Sequence, residues 1–330
     1  MAGAMTPAPP FVDLLDVDAR VPLVVHEQAS GEFDPGDGAI HLAVDRTGAL
    51  AMGDLARFDV ALTAAAYPPA PWVGIAQARL DAHLALLTGA VAATPVAALV
   101  LARVLRIGEG LAFDAALDVE SLAYSTLLGG AEFRRWRAAS PAGAMPSEPA
   151  ELVRYERAGD AVTLTLASPA TRNAMSATMR DALYTALASV VEDPSGPSLI
   201  LCGAGRCFST GGELAEFGSA HDLAVAHLIR TRRSAVRLLH RLGDRAQVQL
   251  HGACIGSGIE IAAAAARRSA ARDTIFQLPE LRMGLIPGAG GTVTLARAIG
   301  RQRTAWLALT GRRIGAARAR DWGLIHDIVP

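Results

Sequence analysis

Lysine is missing altogether: all 31 basic residues of this 330-residue chain are arginines. That absence excludes a P-loop lysine, a pyridoxal Schiff base and any cofactor attached through a lysine. Cysteine is scarce, and Cys202, Cys207 and Cys254 have no metal or redox spacing. Their odd number argues against a disulfide framework, so they read as small core residues. An excess of either charge is lacking as well. The net charge of −1 and the pI near 6.7 give no general pull toward nucleic acid. The histidines sit at no ligand spacing, so no metal is expected, and His251 reads as a satisfied strand-end residue. Alanine swells the hydrophobic content to 51%, yet no run reaches the roughly 18 residues needed to cross a bilayer without a charge or a breaker. The nearest, residues 85–105, contains Pro95 and Arg103. The Pro/Ala/Gly start lacks the charged beginning and apolar middle of a signal peptide. A soluble cytoplasmic protein is expected, with no membrane or nucleic-acid partner.

A chain of this length can build a sizeable core and accommodate two regions. We divide it into a flexible tail at 1–10, an N-terminal region at 11–139, a Pro/Ala/Ser/Glu-rich linker at 140–150 and a downstream core at 151–330. Downstream, residues 161–167 alternate as a strand, 176–192 have helical periodicity and 198–202 form a short buried strand. Residues 221–242 read as one long arginine-studded helix, and 304–309 and 316–322 as closing helical turns. Upstream, 38–52 and 58–64 look strand-like, whereas 75–88, 95–105, 114–128 and 132–138 look helical. Alternating strands and helices imply an α/β fold.

The stretch 247–292 is the most informative. A strand pattern through Val248 and Leu250 runs into Gly252, then Gly256-Ser257-Gly258, then a helix-forming series that begins at Ile259. Glycines permit close approach of another backbone, and a helix start offers unpaired N–H groups with partial positive charge, a seat for developing negative charge. Glu260 stands among isoleucines and alanines, where an unpartnered glutamate is rare. Read from the residues alone, it is either a helix acid paired with Arg282, Arg267 or Arg268, or a reactive group; Glu280 is either a turn acid after Pro279 or its companion. Gly256-x-Gly258 is no dinucleotide fingerprint, and Pro287-Gly288-Ala289-Gly290-Gly291 lacks the phosphate-loop lysine and reads as a pocket wall.

Four blocks together resemble the crotonase (enoyl-CoA hydratase/isomerase) superfamily over residues 153–330. They are Ser168-Pro169-Ala170-Thr171-Arg172-Asn173-Ala174-Met175, the stretch 203–214 with Thr210-Gly211-Gly212-Glu213, the stretch 252–260, and Pro279-Glu280 through Gly291. The resemblance implies a spiral of ββα turns, here with an additional N-terminal α/β and helical region. It implies that the backbone N–H groups of Gly212 and Ser257 hold a thioester oxygen, although Ser257 stands where glycine or alanine is usual. It implies that Glu260 and Glu280 hold a water against a double bond, and that Arg172 and Ala174 line the coenzyme A site. Arg172 reads equally as a solvated loop arginine. The implied activity is hydration of a 2-enoyl-CoA to a 3-hydroxyacyl-CoA, with coenzyme A entering only as part of the substrate, no other cofactor, and a homo-oligomer, trimer or hexamer. Isomerase, thioesterase or cofactor-free oxygenase chemistry, or a non-catalytic acyl-CoA-binding subunit, are the alternatives. Family members continue past a strand such as 323–329 into helices that cover the acyl pocket. Residues 94–137, with Glu120, Ala123, Tyr124, Leu127 and Leu128, resemble that bundle moved ahead of the core, so 75–138 is expected to cover the pocket.

Overall fold

In the computed structural model, residues 22–27, 33–34, 38–50, 53–140, 143–144, 147 and 149–330 are described. The tail assigned to 1–10 and residues 141–142, 145–146 and 148 of the linker lie outside them. Four short strands, β1 (Leu23–His26), β2 (Ile40–Asp45), β3 (Val60–Thr63) and β4 (Val73–Gly74), pair in chain order and all in parallel. β2 and β3 are buried along their whole length, as parallel strands covered on both faces are. The strand expected over 38–52 is shorter because the Asp45 carboxylate gathers the amides of Thr47, Gly48 and Leu50, at 3.0, 3.0 and 2.9 Å, into a turn; residues 51–52 lie outside the described residues.

Four helices follow: α1 (Leu80–Ala93), α2 (Pro95–Glu109), α3 (Phe113–Leu128) and α4 (Ala131–Ala139). α1 runs five residues later at each end than the expected 75–88, because its buried stripe is Leu80, His83, Leu87 and Val91. Pro95, with no N–H to lose, opens α2.

Downstream the order is β5 (Val153–Ala158), β6 (Ala161–Leu166), α5 (Ala177–Glu192), β7 (Ser198–Gly203), α6 (Leu223–Arg232), α7 (Ala235–Leu242), β8 (Ala246–Leu250), β9 (Ala253–Ile255) and α8 (Ser257–Ala262). Then come β10 (Arg267–Ala271), β11 (Ile275–Gln277), α9 (Gly291–Ile299), α10 (Arg301–Thr310), β12 (Ile314–Gly315), α11 (Ala316–Trp322) and β13 (Asp327–Val329). A six-stranded sheet runs β13-β10-β8-β7-β6-β5 and a three-stranded sheet β12-β11-β9. The single helix expected over 221–242 is instead two. The Ser234 hydroxyl accepts from the Arg237 amide at 3.3 Å, and this N-cap restarts the chain as α7, a strongly buried helix, whereas α6 has no buried residue.

The upstream and downstream parts share one hydrophobic core. Leu87, Leu101 and Leu117 belong to the same buried cluster as Leu295, Trp306 and Leu309. α2 packs on α9 and α10, and α3 on α6 and α9. Two buried arginines of α10 stitch the halves together by donating to carbonyls: Arg301 Nη1 to Phe58 at 2.8 Å and Arg303 Nε to Trp72 at 3.1 Å. Among the described residues no single helix is long and apolar enough to cross a membrane.

Candidate active site

Two turns meet at the heart of the downstream half. β9 ends at Ile255, Gly256 follows with a φ of 51° that suits glycine, and α8 begins at Ser257. The Gly211-Gly212 turn lies against it: a Cβ on Gly211 would fall 2.8 Å from the Ile255 carbonyl oxygen, and one on Gly258 2.7 Å from that of Ser209. Only glycines allow this approach. Neither the Gly212 amide nor the Ser257 amide donates to a backbone carbonyl among the described residues, and both residues line one cavity of about 430 Å³.

Glu260 and Glu280 line the same cavity, and both are buried. A methyl group built on Gly256 would lie 2.5 Å from Glu280 Oε1 and 3.9 Å from Glu260 Oε1, so the two oxygens flank one point. Glu260 Oε2 accepts from the amides of Ala289 and Gly291, at 2.7 and 3.0 Å. The ion pair with Arg282, Arg267 or Arg268 offered by the sequence is not made. Arg268 turns to backbone carbonyls, with Nε on Leu324 at 2.7 Å, and Arg282 lies beside Gly311. Glu280 Oε2 and the Ser257 hydroxyl are buried without a hydrogen-bond partner among the described residues. Polar atoms left so in a cavity wall are the ones a ligand can satisfy.

A third acid joins them from the upstream half. Glu120 of α3 accepts from Gly290 N at 2.6 Å through Oε1, and from Thr292 N and Oγ1 at 2.8 and 2.6 Å through Oε2. The amides of residues 289–292 thus alternate between Glu260 and Glu120. Burial raises Glu280 to about 8, helped by the charge of Glu120. Burial first, then the charges of Glu280 and Glu120, push Glu260 well above the usual carboxylate range, offset in part by its two amides. Glu120 rises to about 7 through burial, against the pull of its hydrogen bonds. Like charges crowded in an apolar enclosure cannot all ionise together near neutrality.

Arg172 and Ala174 are placed otherwise. Arg172 is exposed, in the left-handed region at φ 56°, and neither residue lines the cavity, whereas Met175, Ala177 and Arg180 just beyond them do. The Gly288-Ala289-Gly290 segment does form a wall. His251 is satisfied at a strand end, 3.1 Å from the Gly205 carbonyl.

A family model described as Enoyl-CoA hydratase/isomerase matches residues 156–330. The chain belongs to this family. It is 33% identical over 167 residues to 2,3-dehydroadipyl-CoA hydratase of Escherichia coli (strain K12), a match that takes in 51% of this chain and 65% of that protein. It is 34% identical over 173 residues to 1,2-epoxyphenylacetyl-CoA isomerase of the same organism, over 51% and 66% respectively. Among solved structures, an enoyl-CoA hydratase from Thermoplasma volcanium aligns with a TM-score of 0.50 at 30% identity, covering 55% of this chain and 72% of that one. The chain therefore spans just under two thirds of the length of these curated relatives. This member of the enoyl-CoA hydratase/isomerase family builds its cavity partly from α3, which contributes Leu117, Glu120, Ser121, Tyr124 and Leu128. Sequence reasoning did not single out Glu120 as a site residue. The available signal was an acid on the apolar stripe of its helix, in step with Phe113, Ala116 and Leu117.

Proposed function

We propose that the protein hydrates a 2-enoyl-CoA to a 3-hydroxyacyl-CoA. The observation that supports this most is the pair of buried acids, Glu260 and Glu280, beside two backbone amides that donate to no backbone carbonyl among the described residues. The thioester oxygen would accept from Gly212 N–H and Ser257 N–H, which stabilise the enolate formed as water attacks Cβ; losing one such donor typically costs 10²–10³-fold in rate. One carboxylate takes a proton from the water while the other, a neutral acid, delivers one to Cα. Together they add one water across the double bond, and the proton borrowed from the acid is regained through exchange with its partner. The raised pKa values support this division of labour: whichever acid is ionised holds its neighbour protonated.

In the same proposal, α3 supplies the cover over the acids, and coenzyme A enters with the substrate. Assembly as a trimer or hexamer belongs to it too; Val225, Leu228 and Ile229 of α6 form an exposed apolar stripe suited to a neighbouring copy. The second reading is a double-bond shift, since a relative from Mycosarcoma maydis named as an enoyl-CoA isomerase/hydratase is 32% identical over 177 residues. Crotonyl-CoA separates them. Loss of enoyl absorbance with formation of 3-hydroxybutyryl-CoA is expected; no loss, with conversion of a 3-enoyl-CoA to a 2-enoyl-CoA, would favour the isomerase.

A further inference from the structure

Four guanidinium groups line the cavity, those of Arg180, Arg230, Arg233 and Arg237. Three are neutralised nearby. Asp181 takes Arg180 at 2.8 Å and Arg233 at 2.9 Å, and Arg237 reaches Asp114 at 2.7 Å and Asp118 at 2.6 Å. Arg230 makes no such pair among the described residues. Its Nε donates to Ser121 Oγ at 3.1 Å and its Nη2 to Ser125 Oγ at 2.5 Å, and its guanidinium carbon lies 4.8 Å from the centre of the Tyr124 ring. Burial lowers its pKa, offset in part by the charges of Tyr124 and Glu120, neither of which is in a salt bridge with it among the described residues. Its planar fork retains donors that two serine hydroxyls leave unused.

The position of this cation matters as much as its charge. The Tyr124 ring also packs on Gly288 so closely that a Cβ there would fall 2.4 Å from it. Gly288 leads into the loop whose amides hold Glu260. Arg230 is therefore one aromatic ring away from the loop that holds Glu260, and Leu117 and Leu128 supply apolar wall to the same cavity. Glu120, the acid nearest in charge, has both oxygens engaged by Gly290 and Thr292. An alkyl chain lying along this wall would end at a fixed positive fork. The long pantetheine arm would hold the phosphates of coenzyme A well away from the thioester, so the anion that Arg230 can meet belongs to the acyl end.

We propose, on the basis of the acyl-CoA reading above, that Arg230 receives the carboxylate at the far end of a short acyl chain, so that the preferred substrate is a 2-enoyl-CoA ending in an acid instead of a methyl group. Arg230 is then the residue that sets specificity. Calorimetric titration of the intact protein with adipoyl-CoA, hexanoyl-CoA and free CoA tests this without any turnover. The wild-type protein is expected to bind adipoyl-CoA tighter than hexanoyl-CoA by about 10-fold or more, the scale of a charge-assisted hydrogen bond. Arg230→Gln should bring that ratio close to one, and Arg230→Lys, which keeps the charge and loses the fork, should fall between. Equal affinities in the wild type would overturn the proposal even if a variant failed to fold. So would an unchanged ratio in a folded Arg230→Gln protein, or an equal loss of free CoA affinity in it, which would assign the cation to the coenzyme. If the thioesters bind with the expected ratio and no hydration of a 2-enoyl-CoA occurs, the hydratase reading fails and the carboxylate-binding role of Arg230 stands; if none of the three ligands binds, the acyl-CoA reading falls and takes this proposal with it.

Discussion

Glu260 and Glu280 differ in how they are held, although both are buried in one cavity. Two amides fix Glu260 Oε2, whereas Glu280 Oε2 has no partner among the described residues, so the first is positioned by the protein and the second is left for what enters. Replacing either with glutamine keeps the shape and removes the proton exchange. Each variant is expected to lose about 10²–10⁴-fold in kcat with crotonyl-CoA, while CoA affinity hardly moves. Near-wild-type turnover by either variant would discard the assignment, and retained double-bond isomerisation in Glu260→Gln alone would favour the isomerase. The same acids bear on stability. Folding raises Glu280 from an ordinary 4.5 to about 8, so the fold binds this proton more tightly than the unfolded chain does. That contribution is fully present below about 4.5 and is lost as the pH rises through about 8. Thermal unfolding followed from pH 5 to pH 9 should show Tm falling, with a shallower fall in Glu280→Gln. A variant as steep as the wild type would mean that Glu280 titrates normally.

Helices and loops decide how the acids are presented. α9 starts at Gly291, and the amides at its N-terminus, together with those just ahead of it, are shared between Glu260 of α8 and Glu120 of α3. Helix starts favour carboxylates because their amides are unpaired and carry partial positive charge. Glu120 thereby locks the loop that orients Glu260, which makes it a positioning residue. Glu120→Gln should destabilise the fold by about 1.5–3 kcal/mol, the scale of hydrogen bonds to a charged group. It should also remove a negative charge that holds the Glu260 and Glu280 pKa values up, and so shift the pH–rate profile to lower pH. A lower Tm with an unmoved profile would reduce Glu120 to a structural acid. The break between α6 and α7 also belongs to this scale. Periodicity through 221–242 reads straight across it, because arginines and aliphatic residues continue on both sides and only the Ser234 cap restarts the helix.

In the whole molecule, the upstream half is part of the core and part of the cavity wall. A protein beginning at Glu151 would strip α2 and α3 from α9 and α10 and expose Leu295, Trp306 and Leu309, which are now buried. It is expected to aggregate or to be inactive; a soluble, fully active monomer in sedimentation and turnover assays would refute that. The sequence by itself determined the turns. Gly211, Gly256 and Gly258 stand where neighbouring backbone or side-chain atoms leave no room for a Cβ, and glycine is the residue type that records such a requirement at its own position. Gly212, Ser257, Glu260 and Glu280 were readable as a group through the resemblance of their blocks to the family. Strand and helix positions followed from local periodicity, with errors of a few residues where a side chain such as Asp45 or Ser234 ends or restarts an element. Tertiary structure alone decided what meets across long separations. Glu120 and Gly290 are 170 residues apart, and nothing in the local pattern around either announces the other. The choice of backbone amides over Arg268 as the partners of Glu260 was decided there as well, as was the pairing of three cavity arginines but not Arg230. Hydrogen bonds and ion pairs act within a few ångströms, and only the folded chain sets which distant residues come that close.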